Sequence, residues 1–181
     1  MDISITIPVF NGSRTIEKLV KEIKDNLNNS NFTFEIFLVD DHSTDNSWNC
    51  IEDLCRKYNF VKGIKLTSNF GQHNATMAGL NYCNGEFVII MDDDLQHNPK
   101  YILKLVKKLK EGNDLCYCNF IERKHNLWKI TVSVINNLIL SLGTRKPFNI
   151  YASPFRGIKK TINLKIIQNK NHFIYLDVLI L

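Results

Sequence analysis

Apolar and polar positions alternate along the chain in two patterns, short apolar runs and longer segments with an apolar residue every three or four positions. Runs rich in β-branched residues indicate buried strands, and the longer spacing is typical of helices that pack on one face. The predicted strands are "ISITIPV", "FEIFLVD", "VKGIKL", "EFVIIMD" and "DLCYCNF". The predicted helices include Thr15–Leu27, Ala75–Tyr82, Asn98–Gly112 and Trp128–Leu142, with one more around Ile51–Cys55.

Strands and helices take turns along this chain, and the strands are almost continuously apolar. This combination predicts an α/β fold, a mostly parallel sheet flanked by helices on both faces. A length of 181 residues favours a single domain over residues 1–181. The apolar ending "HFIYLDVLIL" leads us to expect that the chain stops inside an element, as a truncated product would.

Polar clusters follow four of the predicted strands, where ligands bind in open parallel sheets. The clusters are Pro8–Gly12, Asp40–Asp45, Ser68–His73 and Asp92–Gln96. The chain contains neither GxGxxG nor GxxxxGK[ST], which argues against a dinucleotide or P-loop site. We therefore expect one ligand site at this edge that uses other chemistry.

The triplet Asp92-Asp93-Asp94 places three like charges where a buried strand ends. Residues two apart on a strand point the same way, so Asp92 and Asp94 can converge while Asp93 turns aside. With the amide oxygen of Gln96 they make an oxygen-rich set that suits Mg²⁺ or Mn²⁺. The alternative is an acidic loop that caps the next helix, but Asn98 already supplies that cap.

Asp41 ends another predicted strand and can accept a hydrogen bond from a nucleobase or a ribose hydroxyl.

Charge is unevenly spread along the chain: residues 1–94 contain 8 Lys and Arg and 14 Asp and Glu, whereas the remaining residues contain 15 Lys and Arg and 4 Asp and Glu. This asymmetry suits a metal-assisted site beside a surface that meets phosphates or anionic lipid. The four lysines at 104, 107, 108 and 110 are better explained as a solvated helix face.

The five cysteines form no CxxC pair, and we interpret them as reduced thiols of a cytosolic protein. The first residues lack the basic start and cleavage site of a signal peptide. The most apolar later segment, "ITVSVINNLILSLG", is too short for a bilayer, which needs about 20 apolar residues.

Four motifs in order, "IPVFNG", "VDDHSTDNSW", "NFGQHNATMAGL" and "GEFVIIMDDDLQHNP", resemble those of family 2 glycosyltransferases. The resemblance is closest to the polyprenyl-phosphate sugar transferases that use dolichol or undecaprenyl phosphate, and it is strong from Ile3 to Glu122. It implies a GT-A fold, with a Rossmann-like, mostly parallel sheet. It also implies a nucleotide-diphosphate sugar donor, a polyprenyl phosphate or glycan acceptor, and no nucleic acid partner.

The resemblance assigns roles to several residues. Pro8, Phe10, Val39 and Asp41 match positions that line the nucleoside pocket. Asp92 and Asp94 match the Asp-x-Asp motif that holds Mg²⁺ or Mn²⁺ on the donor diphosphate, with Gln96 as a further ligand. Asp93 is expected to face the donor sugar instead of the metal.

The chain departs from the family pattern in places. Phe10 stands where relatives usually have Tyr, and Phe120 replaces the first Arg of their Gly-x-Arg-x-x-Arg segment. Arg123 matches the second Arg of that segment, and "SPFRGIKK" resembles a later Ser-x-Phe-Arg segment that contains Arg156. Arg123, Lys129 and Arg156 are candidate phosphate contacts, and ordinary surface charges remain an equal alternative.

The acceptor determines whether a general base is needed. A sugar hydroxyl is a poor nucleophile and requires a base, whereas a lipid phosphate is already anionic and does not. Asp177 lies roughly where relatives that act on hydroxyls keep their base, so it joins Asp94 as a catalytic candidate. Few carboxylates follow Asp94, and this scarcity, the basic second half and the family resemblance together favour a polyprenyl phosphate as acceptor. The resemblance implies a metal-assisted transfer, and direct attack on the anomeric carbon would invert its configuration. We expect the protein on the inner face of the cell membrane, bound peripherally.

Three alternatives stay open. The acceptor could be a saccharide hydroxyl in lipopolysaccharide or capsule synthesis. The chain could be an inactive, truncated module that binds a nucleotide sugar. A nucleotidyltransferase also uses carboxylate-bound metal on an α/β sheet, although "PVFNGSR" is a poor match to its phosphate loop.

Overall fold

A computed structural model describes residues 1–118 and 153–168 of the chain. Its strands are β1 Ile3–Val9, β2 Phe34–Asp40, β3 Val61–Lys65, β4 Phe87–Ile90, β5 Leu115–Tyr117 and β6 Arg156–Lys159. Its helices are α1 Ile16–Leu27, α2 Ser47–Lys57, α3 Gln72–Leu80, α4 Ile102–Lys110 and α5 Lys160–Gln168. A 3₁₀ turn at Pro99–Tyr101 leads into α4, and the Asn98 side chain caps it by accepting from the Lys100 N–H.

The strands form one six-stranded sheet in the order β3-β2-β1-β4-β6-β5. β1 to β4 pair in parallel, whereas β6 runs antiparallel to both β4 and β5. The predicted mostly parallel sheet is therefore confirmed. The pattern of the sequence did not predict β6, because "RGIK" is short, contains Gly157 and alternates too briefly to signal a strand.

Helices cover both faces of the sheet, as predicted. On one face α1, α2 and α4 pack on β1, β2 and β4 around fully buried residues that include Ile5, Leu19 and Leu109. On the other face α3 and α5 pack around Leu80, Val88 and Ile166. All seven residues of β1 are buried, and the strand lies inside the sheet between β2 and β4.

Helix α3 begins at Gln72, three residues before the predicted start at Ala75. Residues 72–74 are polar and have no apolar residues at helical spacing, so the hydrophobic pattern did not indicate a helix there. The predicted helix Trp128–Leu142 falls outside the described residues. Among the helices that are described, none has both the length and the apolar character needed to cross a membrane.

Candidate functional site

The carboxyl ends of β1, β2, β3 and β4 meet at one edge of the sheet, where they enclose an open cavity of about 360 Å³. Parallel pairing brings these ends together, because strands that run the same way finish at the same edge. The lining residues come from the end of β1, from the loops after all four strands and from the start of α3: Pro8, Val9, Phe10, Asp41, Asn69, Gly71, Gln72, Asp92, Asp93 and Asp94.

Asp41 holds the loop after β3 in place. Its carboxylate, which is 2% exposed, accepts hydrogen bonds from the backbone N–H groups of Phe70 at 2.7 Å and Gly71 at 2.8 Å. Hydrogen bonds to a charged acceptor are among the strongest in proteins. Asp41 therefore shapes the cavity wall through the backbone and also presents oxygen atoms to it.

A second set of hydrogen bonds ties the loop after β1 to the loop after β2. The Asn11 Oδ1 accepts from the Thr44 backbone N–H at 2.9 Å, and the Asn11 N–H donates to the Ser43 hydroxyl at 3.0 Å. Burial opposes ionisation of Asp45, but hydrogen bonds from Ser47 and Ser13 outweigh it and lower its pKa to about 2. Asp45 thus stays charged and keeps both loops joined at ordinary pH.

Asp92 and Asp94 lie together on the cavity wall, and each is oriented by one hydrogen bond. The side-chain amide of Gln72 donates to Asp92 Oδ1 at 2.6 Å, and the backbone N–H of Gln96 donates to Asp94 Oδ1 at 2.9 Å. Burial and then the charge of Asp94 raise the pKa of Asp92 to about 6, against the Gln72 hydrogen bond and the Arg156 charge. Negative charge is therefore poorly compensated at this point.

Asp93 lines the same cavity and packs against Gly12. A methyl group at position 12 would overlap Asp93 Oδ2, and this buried oxygen makes no hydrogen bond to any described residue. Burial, together with the charges of Asp92, Asp94 and Asp45, raises the pKa of Asp93 to about 6. Because β4 ends at Ile90, the triplet follows the strand instead of continuing it, and strand alternation does not govern where the three carboxylates point.

The donor set fits a hard divalent cation in part. Asp92 and Asp94 each keep a second carboxylate oxygen beyond the one that is hydrogen bonded, and a cation would relieve their mutual repulsion. Within the described ranges, no three His, Cys, Asp or Glu side chains group as a complete metal site. A cation here would therefore need further ligands from a substrate or from water, which suits Mg²⁺ with phosphate oxygens.

The other predicted site residues are placed differently. Pro8 and Phe10 line the cavity, and the Phe10 ring is 50% exposed. Val39 is fully buried and does not line the cavity, and the Gln96 side chain is exposed and is not among the lining residues either. Arg156 is buried in β6 and pairs with Ile90 of β4. The remaining three candidates, Arg123, Lys129 and Asp177, lie outside the described residues.

Four lining residues were not among the predicted site residues: Val9, Asn69, Gly71 and Gln72. Three of them belong to the polar cluster Ser68–His73, which the sequence placed at this edge without a role for any member. One feature of the sequence could have pointed to these residues: "NFGQHN" is a polar segment without apolar periodicity that follows a predicted strand. Gly71 has φ +86°, a conformation that favours glycine and lets the chain turn into α3.

Comparisons with known proteins agree with this geometry. The family model for glycosyl transferase family 2 matches residues 4–171. Two curated relatives are undecaprenyl-phosphate 4-deoxy-4-formamido-L-arabinose transferases. The protein from Pseudomonas syringae is 34% identical over 88% of this chain and 48% of its own length. The protein from Proteus mirabilis is 30% identical over 98% of this chain and 55% of its own. The chain spans about half the length of these relatives.

The fold likeness extends to solved structures. Glucosyl-3-phosphoglycerate synthase from Mycobacterium tuberculosis, in complex with Mn²⁺, uridine-diphosphate-glucose and glycerol 3-phosphate, superposes with a TM-score of 0.67 at 18% identity. The match covers 89% of this chain and 57% of that one. At this level of identity the likeness establishes the GT-A fold and nothing finer.

Proposed function

The chain belongs to glycosyl transferase family 2, and from this we propose that it moves a sugar from a nucleotide-diphosphate sugar to a polyprenyl phosphate. The observation that carries the proposal is the convergence of Asp41, Asp92 and Asp94 on one cavity at the carboxyl edge of the sheet. The names of the curated relatives support the lipid phosphate as acceptor.

The donor would lie across the strand ends, with its nucleoside near Phe10 and Asp41 and its diphosphate near Asp92 and Asp94. An exposed aromatic ring beside a buried carboxylate offers a planar base both stacking area and a hydrogen-bond acceptor. The cavity of about 360 Å³ is open to solvent, which leaves room for the sugar and for an incoming acceptor.

Asp92 and Asp94 would hold Mg²⁺ or Mn²⁺ between the protein and the donor diphosphate. Such a cation neutralises charge on a leaving diphosphate and thereby eases departure of that group. The protein's own part is to fix the two carboxylates in advance through Gln72 and the Gln96 backbone. Fixed ligands do not have to reorganise during the reaction.

The transfer would proceed by direct displacement at the anomeric carbon. An oxygen of the acceptor phosphate forms a bond to that carbon while the bond to the donor diphosphate breaks, so the configuration inverts. The nucleoside diphosphate leaves with the bonding electron pair. Because the acceptor phosphate is already anionic, no general base is required. The acceptor lipid implies work at a membrane surface, which we propose as the site of action.

The test is a screen of nucleotide sugars with Mg²⁺ or Mn²⁺, with release of nucleoside diphosphate measured in the presence and absence of undecaprenyl phosphate. We expect one donor to give release that requires both the metal and the lipid. If no donor shows metal-dependent binding or release, the proposal is wrong. Release that requires a saccharide instead would identify a hydroxyl acceptor.

A further inference from the structure

Gln72 and Asp92 join two elements that are separate in sequence. Gln72 is the first residue of α3, and Asp92 follows β4 twenty residues later. The Nε2 atom of Gln72 lies 2.6 Å from Asp92 Oδ1, a short distance for a hydrogen bond from an amide nitrogen to oxygen. A carboxylate held at one oxygen cannot rotate freely, so the direction of the other oxygen is also set.

The backbone that carries Gln72 is itself anchored. Gly71, the preceding residue, donates its N–H to Asp41 Oδ2 at 2.8 Å and also to Asn69 Oδ1 at 3.1 Å. The Gln72 carbonyl accepts from the Thr76 hydroxyl at 2.8 Å. A continuous path thus runs from Asp41 to Gly71 by a hydrogen bond, from Gly71 to Gln72 by the peptide bond, and from Gln72 to Asp92 by a second hydrogen bond.

We propose that Gln72 is a positioning residue that orients Asp92 for a divalent cation and couples the Asp41 end of the cavity to the Asp92 end. This inference rests on the proposed function, because it assigns Asp92 to a cation. It adds a residue and a coupling that the cation assignment alone does not contain. A partner that orients a metal ligand commonly changes metal affinity by 10–100-fold when it is removed.

A purely structural role is a weak explanation for this contact. The Gln72 side chain is exposed, and α3 is anchored to the sheet by buried residues that include Ala75, Thr76 and Leu80. Loss of the Gln72 amide should therefore leave the helix in place while freeing the Asp92 carboxylate. Metal affinity and thermal stability would then respond differently, which makes the two roles separable.

The experiment compares Gln72→Met with wild type, using the full 181-residue chain and Mn²⁺ alone. Methionine has a similar length but no N–H donor. Binding is followed by electron paramagnetic resonance of free Mn²⁺ or by calorimetry. Gln168→Met, the same change at an exposed position at the end of α5, is the matched control.

We expect Gln72→Met to bind Mn²⁺ about tenfold more weakly than wild type, with an unchanged melting temperature, and Gln168→Met to match wild type. Equal or tighter Mn²⁺ binding by Gln72→Met would overturn the positioning role and leave the proposed function intact. If wild type itself binds no Mn²⁺, the cation assignment fails and this inference fails with it.

The coupling to Asp41 has its own readout. Asp41→Asn should weaken Mn²⁺ binding in the wild-type background and have a smaller effect in the Gln72→Met background, because the path is already broken there. Additive effects in this double-mutant cycle would overturn the coupling. The circular dichroism spectrum of each variant verifies that the fold is retained.

Discussion

The carboxylate of Asp93 fills the space beside Gly12 so completely that no side chain fits there without moving it. This contact joins the loop after β1 to the loop after β4, and Asp93 itself lines the cavity. Gly12→Ala should therefore destabilise the protein by about 1–3 kcal/mol, the usual cost of an extra methyl group in a packed site. Chemical denaturation measures this change.

The control for that prediction is the same substitution in a protein that lacks the opposing carboxylate. In the Asp93→Ala background the added methyl group has room, so Gly12→Ala should cost much less. An equal cost in both backgrounds would show that Asp93 is not the obstacle. Gly12→Ala should also weaken donor binding more in the wild-type background than in the Asp93→Ala background. The reason is that Asp93 lines the cavity, so displacing it would disturb the cavity wall.

Stability of the metal-free protein should fall as pH rises from about 4 to about 6. The folded state holds a proton on Asp93 up to a pKa of about 6, whereas the unfolded chain releases it near the ordinary value of 3.8. The native state therefore binds more protons in this window, and stability decreases with pH. Asp93→Asn should remove part of this slope and gain about 1 kcal/mol at pH 7.5 after solvent screening.

Denaturation curves in a chelating buffer between pH 4 and pH 7.5 check that prediction. Asp25→Asn, the same change at an exposed position of α1, is the control variant. A variant Asp93→Asn that is less stable than wild type at pH 7.5 would contradict the assignment of an uncompensated charge.

Asp94→Ala should abolish metal-dependent binding of the donor. Asp94 is one of two carboxylates that converge on the proposed cation, so its loss should weaken Mn²⁺ by more than about 100-fold, beyond the effect of an orienting partner. Calorimetry with Mn²⁺ and the donor identified in the screen measures this. Asp53→Ala removes an exposed carboxylate of α2 and should bind as wild type.

The loop after β3 should loosen when Asp41 loses its charge. Asp41→Asn keeps the shape but replaces one acceptor oxygen with a donor that cannot pair with the N–H of Phe70 or Gly71. Hydrogen exchange at these two amides should accelerate by at least about tenfold, since a hydrogen bond to a charged group contributes about 1.5–3 kcal/mol. Unchanged exchange would mean that the loop is held by other contacts.

The acceptor can be tested at Asp177, which lies outside the described residues. If the acceptor is a lipid phosphate, Asp177→Asn should keep most of the turnover, because an anionic acceptor needs no base. If turnover is lost while donor binding persists, a hydroxyl acceptor and a base at position 177 are indicated. Asp114→Asn, in an exposed ion pair with Lys159, is the control.

The sequence predicted the parallel part of the sheet well because its strands are apolar throughout and its helices have one clear apolar face. It also predicted that Asp41, Asp92 and Asp94 would meet, since parallel strands finish at one edge. The antiparallel strand β6 escaped prediction, because its four residues carry too little pattern. The role of Gln72 was not predicted for another reason. A glutamine that follows a strand cannot be distinguished in sequence from an ordinary exposed residue until its hydrogen-bond partner is known.

The position of β6 between β4 and β5 has a consequence for synthesis of the chain on the ribosome. Strands β1 to β4 can pair as soon as residue 90 has emerged, but the outer side of β4 stays open until Arg156–Lys159 arrive. In that interval the apolar strand Phe87–Ile90 is paired with β1 on one edge and lacks β6 on the other. Products that terminate early, before residue 156, should therefore be prone to edge-to-edge aggregation and depend on chaperones.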